Sequence, residues 1–312
     1  MIMTETPNNI GLLEFKNIPL SDIVPFIHWS FFFMAWRMTG KYEGIETATD
    51  CESCKASWLN TFLPEDRERA EEALKLYKDA QEILREFRDK NVLTINASLG
   101  IYPAYSDGDD IIIQNDGKDY VIPTLRQQKP AHDGFCYSLA DFINPAGDYV
   151  GVFANTVLGA EAFAETYEKK DDIYTAFIIK ILAERIAEGT AEWMHYHVRT
   201  KYWGYSPTEK EDHVGMLKEQ YRGIRPAVGY PSLPDQSVIF ELDPLIKFNN
   251  IGIKLTESGA MDPNASVCGM YFAHPQSRYF MVGKIDEEQF LDYAKRRNKS
   301  PEVLRKWLAS NL

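Results

Sequence analysis

The chain has 312 residues, 45% of them hydrophobic and 13% aromatic, which describes a folded protein with a sizeable core rather than a disordered one. A formal net charge of −12 would repel a phosphate backbone, which argues against nucleic acid as a partner. The start MIMTETPNNI has no basic stretch followed by an apolar one, and the apolar run at 29–36 is too short to span a bilayer, so a cytoplasmic protein with no membrane partner is expected.

Residues 1–19 read as a polar leader. Residues 24–39 then carry Trp29, Phe32, Phe33 and Trp36 at helical spacings and stop at Gly40, which predicts a buried aromatic helix. Cys51, Cys54, Cys136 and Cys268 make no disulfide framework in a chain of this length, so reduced thiols are expected. Cys51 and Cys54 have C-x-x-C spacing, but no second pair follows at zinc-ribbon distance, and they read as an incidental loop pair. Pro64 opens a charged stretch in which Ala73, Leu76, Tyr77, Ala80, Ile83, Leu84 and Phe87 form one apolar stripe, the plainest helix in the sequence.

From Val92 the pattern turns to strands: VLTINASLGIY, then DIIIQN and DYVIPTL joined across Asp116-Gly117, a dipeptide suited to the positive φ angles of a hairpin turn. A further strand is predicted at 149–154, a long helix over 171–203, and strands near 251–255, 267–273 and 279–285. Two helices close the chain, the second with Ser300 as N-cap and Pro301 at its first position. Strands in two groups, helices between them and no linker predict an α+β fold: a single large domain with a twisted, mainly antiparallel sheet flanked by helices.

The most unusual segment is GIRPAVGYPSLPD, with prolines at 226, 231 and 234 and glycines at 223 and 229, a pattern that regular structure does not accommodate. A stiff loop of this kind presents main-chain donors and acceptors, and Arg225 supplies a fork for a carboxylate. By composition alone a connecting loop is the commoner meaning. In the long helix Glu184, Glu188 and Glu192 share a face, which destabilises it unless something cationic lies opposite, with Glu219 as a further carboxylate; a solvated face is the alternative. His195 and His197 are two apart on a helix and point in different directions, so they do not share a metal.

Taken in order, HVRTKYWGYSP (197–207), RGIRPAVGYP (222–231), IKLTESGAMDPNASVCGMYFAHPQSRYF (253–280) and the ending VLRKWLASNL resemble the activation domain of cobalamin-dependent methionine synthase. HWSFFFMAW, TGKY, LRQQK, LADFI and DYVGVFA extend the likeness from about Leu20 to the terminus, so residues 20–312 are assigned to that domain. The resemblance implies binding of S-adenosylmethionine and support of the reductive methylation of cob(II)alamin to methylcobalamin, a reactivation within a methyltransferase system of methionine biosynthesis. The electron comes commonly from flavodoxin, and the protein's task is positioning, with no catalytic acid or base.

Carried over residue by residue, the likeness gives Arg225 to the ligand carboxylate, Ala227 and Gly229 to main-chain contacts, and Tyr230 to the ligand or the corrin. It also places Tyr279 and Phe280 at the site, with Glu188 and Glu219 as surrounding carboxylates; Glu184 and Glu192 are not carried over with the same specificity. His28 stands where the family has an aspartate before Trp-Thr, facing the ligand amino group. A neutral imidazole accepts that hydrogen bond and a protonated one repels the cation. Val228 replaces a proline of the motif.

Folate, homocysteine and cobalamin modules do not fit within 312 residues, and the D-x-H-x-x-G signature is missing. The cobalamin is therefore expected on a partner chain, a cobalamin-binding methionine synthase, with this chain a separate subunit acting in trans. The alternatives are a non-catalytic S-adenosylmethionine-binding regulator and a fold retaining neither activity. Lys295, Arg296, Arg297, Lys299, Arg305 and Lys306 read either as a docking run for an acidic partner surface or as a solvated helix surface.

Overall fold

Turn and cap residues divide the chain into the helices and strands that a computed structural model describes over residues 4–49 and 51–312. The first elements are β1 (Gly11–Phe15), α1 (Leu20–Ile23), α2 (Trp29–Ala35), α3 (Glu52–Leu59) and α4 (Arg67–Asp89). Strands β2 (Thr94–Asp107), β3 (Asp110–Asn115), β4 (Lys118–Pro123) and β5 (Asp148–Leu158) follow. Next come α5 (Ala160–Glu168), α6 (Ile173–His197), α7 (His213–Leu217), α8 (Ile239–Ile246) and α9 (Phe248–Ile251). The chain ends with β6 (Lys254–Leu255), β7 (Met261–Asp262), β8 (Ser266–Tyr271), α10 (Glu287–Arg296) and α11 (Pro301–Trp307). The fold is α+β, and the chain forms two compact units.

The sheet unit comprises Asn96–Thr156, Thr190–Leu312 and the segment ending at Lys16. Its strands run in the order β4-β3-β2-β5-β8, with β1 also paired to β2. Pairing is antiparallel between β1 and β2, β2 and β3, β3 and β4, and β5 and β8. The β3–β4 hairpin turns at Asp116 and Gly117 with φ of 51 and 71, the conformation that the dipeptide favours. Its main core joins Ile111, Ile113, Val150 and Val152 of the sheet to Leu242, Leu245 and Ile246 of α8.

Carbonyls at the end of a helix lack partners within the helix, so their burial requires outside donors. Strand β2 supplies them: Tyr102 Oη donates to Leu245 O at 2.6 Å, Ser98 Oγ to Ile246 O at 2.7 Å and Asn96 Nδ2 to Ile251 O at 3.1 Å. A second cluster holds α10 and α11 through Phe290, Tyr293, Leu304 and Leu308. Ser300 Oγ accepts from the Val303 N–H as N-cap of α11. Ser300→Ala should lower the unfolding free energy by about 1 kcal/mol, read as a shifted denaturant midpoint at constant slope.

The helical unit comprises Asn17–Ile95 and Val157–Gly189. The α4 stripe is buried along Ala70, Ala73, Leu74, Leu76, Tyr77, Ala80, Ile83, Leu84 and Phe87. Tyr77 meets the edge of Trp29 at 4.7 Å between centroids, and Phe87 meets Phe163 of α5 at 5.8 Å.

Several sequence expectations are corrected. The aromatic helix is only Trp29–Ala35, because Pro25 confines what precedes it to a 3-10 turn, and it buries Phe32 and Phe33 while leaving Phe31 and Met34 exposed. Residues 279–285 form no strand: the Val282 N–H donates to Pro231 O at 2.9 Å and the Ile285 N–H to Asn311 O at 2.8 Å, both outside any ladder. Within 251–255 only Lys254–Leu255 is strand, since Ile251 ends α9. Cys51 and Cys54 are joined by a disulfide with Cα atoms 5.0 Å apart. Cys51 caps α3, and three residues on in a helix is nearly one turn, which brings the two sulfurs together. Cys136 and Cys268 are free thiols.

The terminal cations are largely engaged. Arg297 is buried between Asp235 at 3.1 Å and Glu241 at 2.8 Å. Arg296 pairs with Asp110 and Asp292, Lys299 with Glu241, and Arg305 with Glu287. Four of the six side chains therefore face carboxylates of the chain itself.

Candidate functional site

The proline-rich segment is irregular, as its composition suggests, but isolated bridges tie it to β8. Ile224 and Phe272 exchange backbone hydrogen bonds at 3.0 Å, Met270 N donates to Pro226 O at 3.0 Å and Val228 N to Cys268 O at 2.9 Å. Residues 224–228 thus lie along β8 as an irregular extra strand, and Pro226 is tolerated because only its carbonyl is needed there. Gly269 permits the approach: a Cβ at that position would lie 2.4 Å from Pro226 O and 2.9 Å from Ala227 Cα.

That pairing alternates. Ala227 is opposite Gly269 in a pair whose bonds are made by its neighbours, so its own N–H and C=O point away from β8, and the C=O accepts from the Tyr230 N–H at 3.2 Å. Arg225 likewise turns its N–H outward, where it donates to Tyr279 Oη at 3.0 Å. Gly229 has φ of 85, and its N–H donates to Leu233 O at 2.9 Å, so of its two main-chain groups the donor is already engaged. Tyr230 is exposed.

Helix α6 meets this segment through its last turns, which continue as a π-helical turn over Val198–Tyr202. Such a wide turn inserts a residue and re-aims the side chains that follow. Glu192 and Arg199 are both buried. Glu192 Oε2 accepts from Arg225 Nη2 at 2.7 Å. Arg199 reaches Glu209 with Nε at 2.9 Å and Nη2 at 2.7 Å, and its guanidinium lies over the Tyr221 ring at 4.1 Å. The Tyr221 hydroxyl donates to Tyr279, which joins Arg199, Tyr221, Tyr279 and the Arg225 backbone in one network.

His195 stacks on Tyr271 at 5.2 Å between centroids and has Nε2 at 3.5 Å from Tyr205 Oη. Burial, together with the positive Arg199 and Arg225, drives its imidazole well below the ordinary range, so it is neutral. Glu219 is pushed upward: desolvation of its carboxyl and the nearby Glu192 outweigh the attraction of Arg225. The result is a guanidinium bonded to one carboxylate and electrostatically coupled to a second, on a segment whose outward N–H meets a tyrosine hydroxyl. Such an arrangement suits a zwitterionic ligand with an amino-acid end.

Residues 19–298 match the family model described as vitamin B12 dependent methionine synthase, activation domain. The chain belongs to this family. Among solved structures it is similar to a crystal structure of the MetH reactivation domain bound to AdoHcy, with TM-score 0.88 and 35% identity over 100% of this chain and 93% of that one.

Of the residues that the resemblance put at the ligand, the sheet unit brings together Arg225, Ala227, Glu219 and Tyr279, with Gly229 and Tyr230 a turn further on. Phe280 points elsewhere: its ring packs near Tyr137 and Phe142, with centroids at 6.0 and 6.3 Å, and its N–H donates to Ser232 Oγ at 3.1 Å. The remaining two belong to the helical unit. His28 caps α2 through its backbone, with its ring stacked on Phe31 at 5.8 Å, and Glu188 is half-buried on α6.

Sequence reasoning gave Glu192 no firm role, yet it is the carboxylate bonded to Arg225. The signal was present in the four-residue spacing, which called for a cation; the cation is supplied by the chain itself. Tyr221, Arg199 and Glu209 were given no role at the site, since nothing in their local sequence shows that they meet there.

The neutral His195 gives a pH prediction. In the unfolded chain an imidazole takes a proton near pH ~6.5, whereas the folded site takes it only at lower pH. Between those values the unfolded state holds more protons, so stability declines as pH falls below ~6.5. His274, lowered by burial, adds in the same sense. The denaturation midpoint should drop between pH 7.5 and 5.5 and drop less in His195→Gln; equal drops would exclude His195 as a source.

Proposed function

We propose that this chain binds S-adenosylmethionine along 225–230 and supports the reductive methylation of cob(II)alamin, carried by a partner methionine synthase, as a separate subunit acting in trans. The observation that carries this reading is the fixed Arg225, its backbone on β8 and its guanidinium against Glu192, in a chain of the activation-domain family. The reactivation-domain structure bound to AdoHcy supports the same ligand class.

In this reading Arg225 holds the ligand carboxylate, outward main-chain groups at Ala227 meet the adenine or ribose, and Tyr279 and Tyr230 border the sulfonium, to which a ring face is weakly attractive. Glu219 serves the ammonium end, to which the family resemblance also assigns Glu188 and His28. The cobalamin of the partner would accept one electron from flavodoxin or a similar donor and then the sulfonium methyl, with S-adenosylhomocysteine as the leaving group. The displacement requires no proton transfer, so these residues orient the donor.

The test mixes the chain with a cob(II)alamin-loaded synthase that lacks this domain, a reductant and methyl-labelled S-adenosylmethionine. Labelled methylcobalamin is the expected product. Calorimetric binding without labelled product would favour the regulator reading, and absence of binding would overturn both in favour of a fold retaining neither activity, the reading to which the His28 replacement points.

A further inference from the structure

Glu192 is nearly removed from water, with its side chain 4% exposed, and so is not a surface counter-ion. Among the described residues Arg225 is the one hydrogen-bond partner of its carboxylate, because Oε2 takes Arg225 Nη2 at 2.7 Å and Oε1 has none. A buried carboxylate tolerated on a single guanidinium holds that guanidinium as firmly as it is held. The backbone of Arg225 is fixed independently, by Tyr279 on one side and by the neighbouring bonds to β8 on the other. Both ends of a long, rotatable side chain are therefore pinned, and the pinned group is a planar fork whose usefulness depends on its orientation.

Charge complementarity alone explains this poorly. A carboxylate beside Arg225 neutralises the cation that is meant to attract a second carboxylate, so as a plain electrostatic device Glu192 would weaken the site. Its benefit is geometric: a fork held at Nη2 by α6 is restricted in direction, and less rotamer freedom is lost when a ligand arrives. We propose that Glu192 is a positioning residue that pre-orients the Arg225 guanidinium toward the carboxylate of an amino-acid-bearing nucleoside. This rests on the assignment of Arg225 to the ligand made above.

The test compares two ligands on the full chain by calorimetry: S-adenosylhomocysteine, which has the amino-acid end, and 5′-methylthioadenosine, which lacks it. Glu192→Gln, of nearly the same shape, should weaken S-adenosylhomocysteine on the order of tenfold and leave 5′-methylthioadenosine within twofold. Glu192→Asp keeps the charge but draws it back by one methylene, and should give a smaller, equally selective loss; it carries the comparison if the glutamine variant does not fold.

Equal loss of both ligands would mean that Glu192 only supports the fold. Unchanged or tighter S-adenosylhomocysteine binding would mean that charge neutralisation, not orientation, is its effect. Either result overturns the proposal. Arg225→Ala separates this from the underlying reading: if that variant binds both ligands normally, the assignment of the site fails, whereas if it loses S-adenosylhomocysteine and Glu192→Gln does not, only the role of Glu192 fails.

Discussion

Arg225→Ala should reduce the affinity for S-adenosylmethionine by roughly two to three orders of magnitude, the largest loss of any single side chain in the site. The guanidinium is the one cation that residues 224–231 present, and a bidentate fork on a carboxylate makes two charged hydrogen bonds of about 1.5 to 3 kcal/mol each. The variant has a second consequence, because Glu192 loses the partner that compensates its burial. Stranding a buried carboxylate typically costs about 3 to 5 kcal/mol. The variant should therefore be less stable as well as weaker in binding, and the titration belongs at a temperature where denaturation curves show it folded. Unchanged affinity in a folded Arg225→Ala chain would remove the site from this segment.

Gly269→Ala should be nearly as disruptive although it adds a single methyl group. The new Cβ would meet Pro226 O at 2.4 Å, Phe153 Cε1 at 2.8 Å and Ala227 Cα at 2.9 Å, and two of these three contacts are with backbone that cannot rotate aside. The segment has to lift from β8, which strains the flanking bonds from Met270 to Pro226 and from Val228 to Cys268. Overpacking costs about 1 to 3 kcal/mol and each weakened hydrogen bond about 1 more, so a loss of roughly 2 to 4 kcal/mol is expected from the denaturant midpoint. A displacement of about 1 Å at 225–227 should also cost on the order of a hundredfold in affinity, because positioning is the site's task. A stable Gly269→Ala chain with normal binding would show that the extra strand is not what holds the segment.

The helices and hairpins were legible where a local rule governs them. The α4 stripe, the Asp116-Gly117 turn and the Ser300-Pro301 cap each depend on residues within a few positions of one another, and each is found at the expected place. The reading failed where partners lie far apart in the chain. Residues 279–285 have the alternation of a strand, yet their donors go to Pro231 and Asn311, and periodicity carries no information about which backbone will be adjacent. The C-terminal cations read either as a docking run or as a solvated surface, because sequence shows charges and not their partners, such as Asp110, Asp235 and Glu241.

The family and the α+β class follow from extended motifs in a fixed order and from short-range periodicity, which need no coordinates, and the same motifs single out the segment bearing Arg225. How that segment is held follows from the packed fold. The prolines that suggested a loop leave its carbonyls free to pair with β8, a glycine more than forty residues away admits the close approach, and a glutamate on the last turns of α6 meets the guanidinium. Each of these depends on which distant groups become neighbours once the core is packed, and on the exclusion of water that makes a buried ion pair rigid.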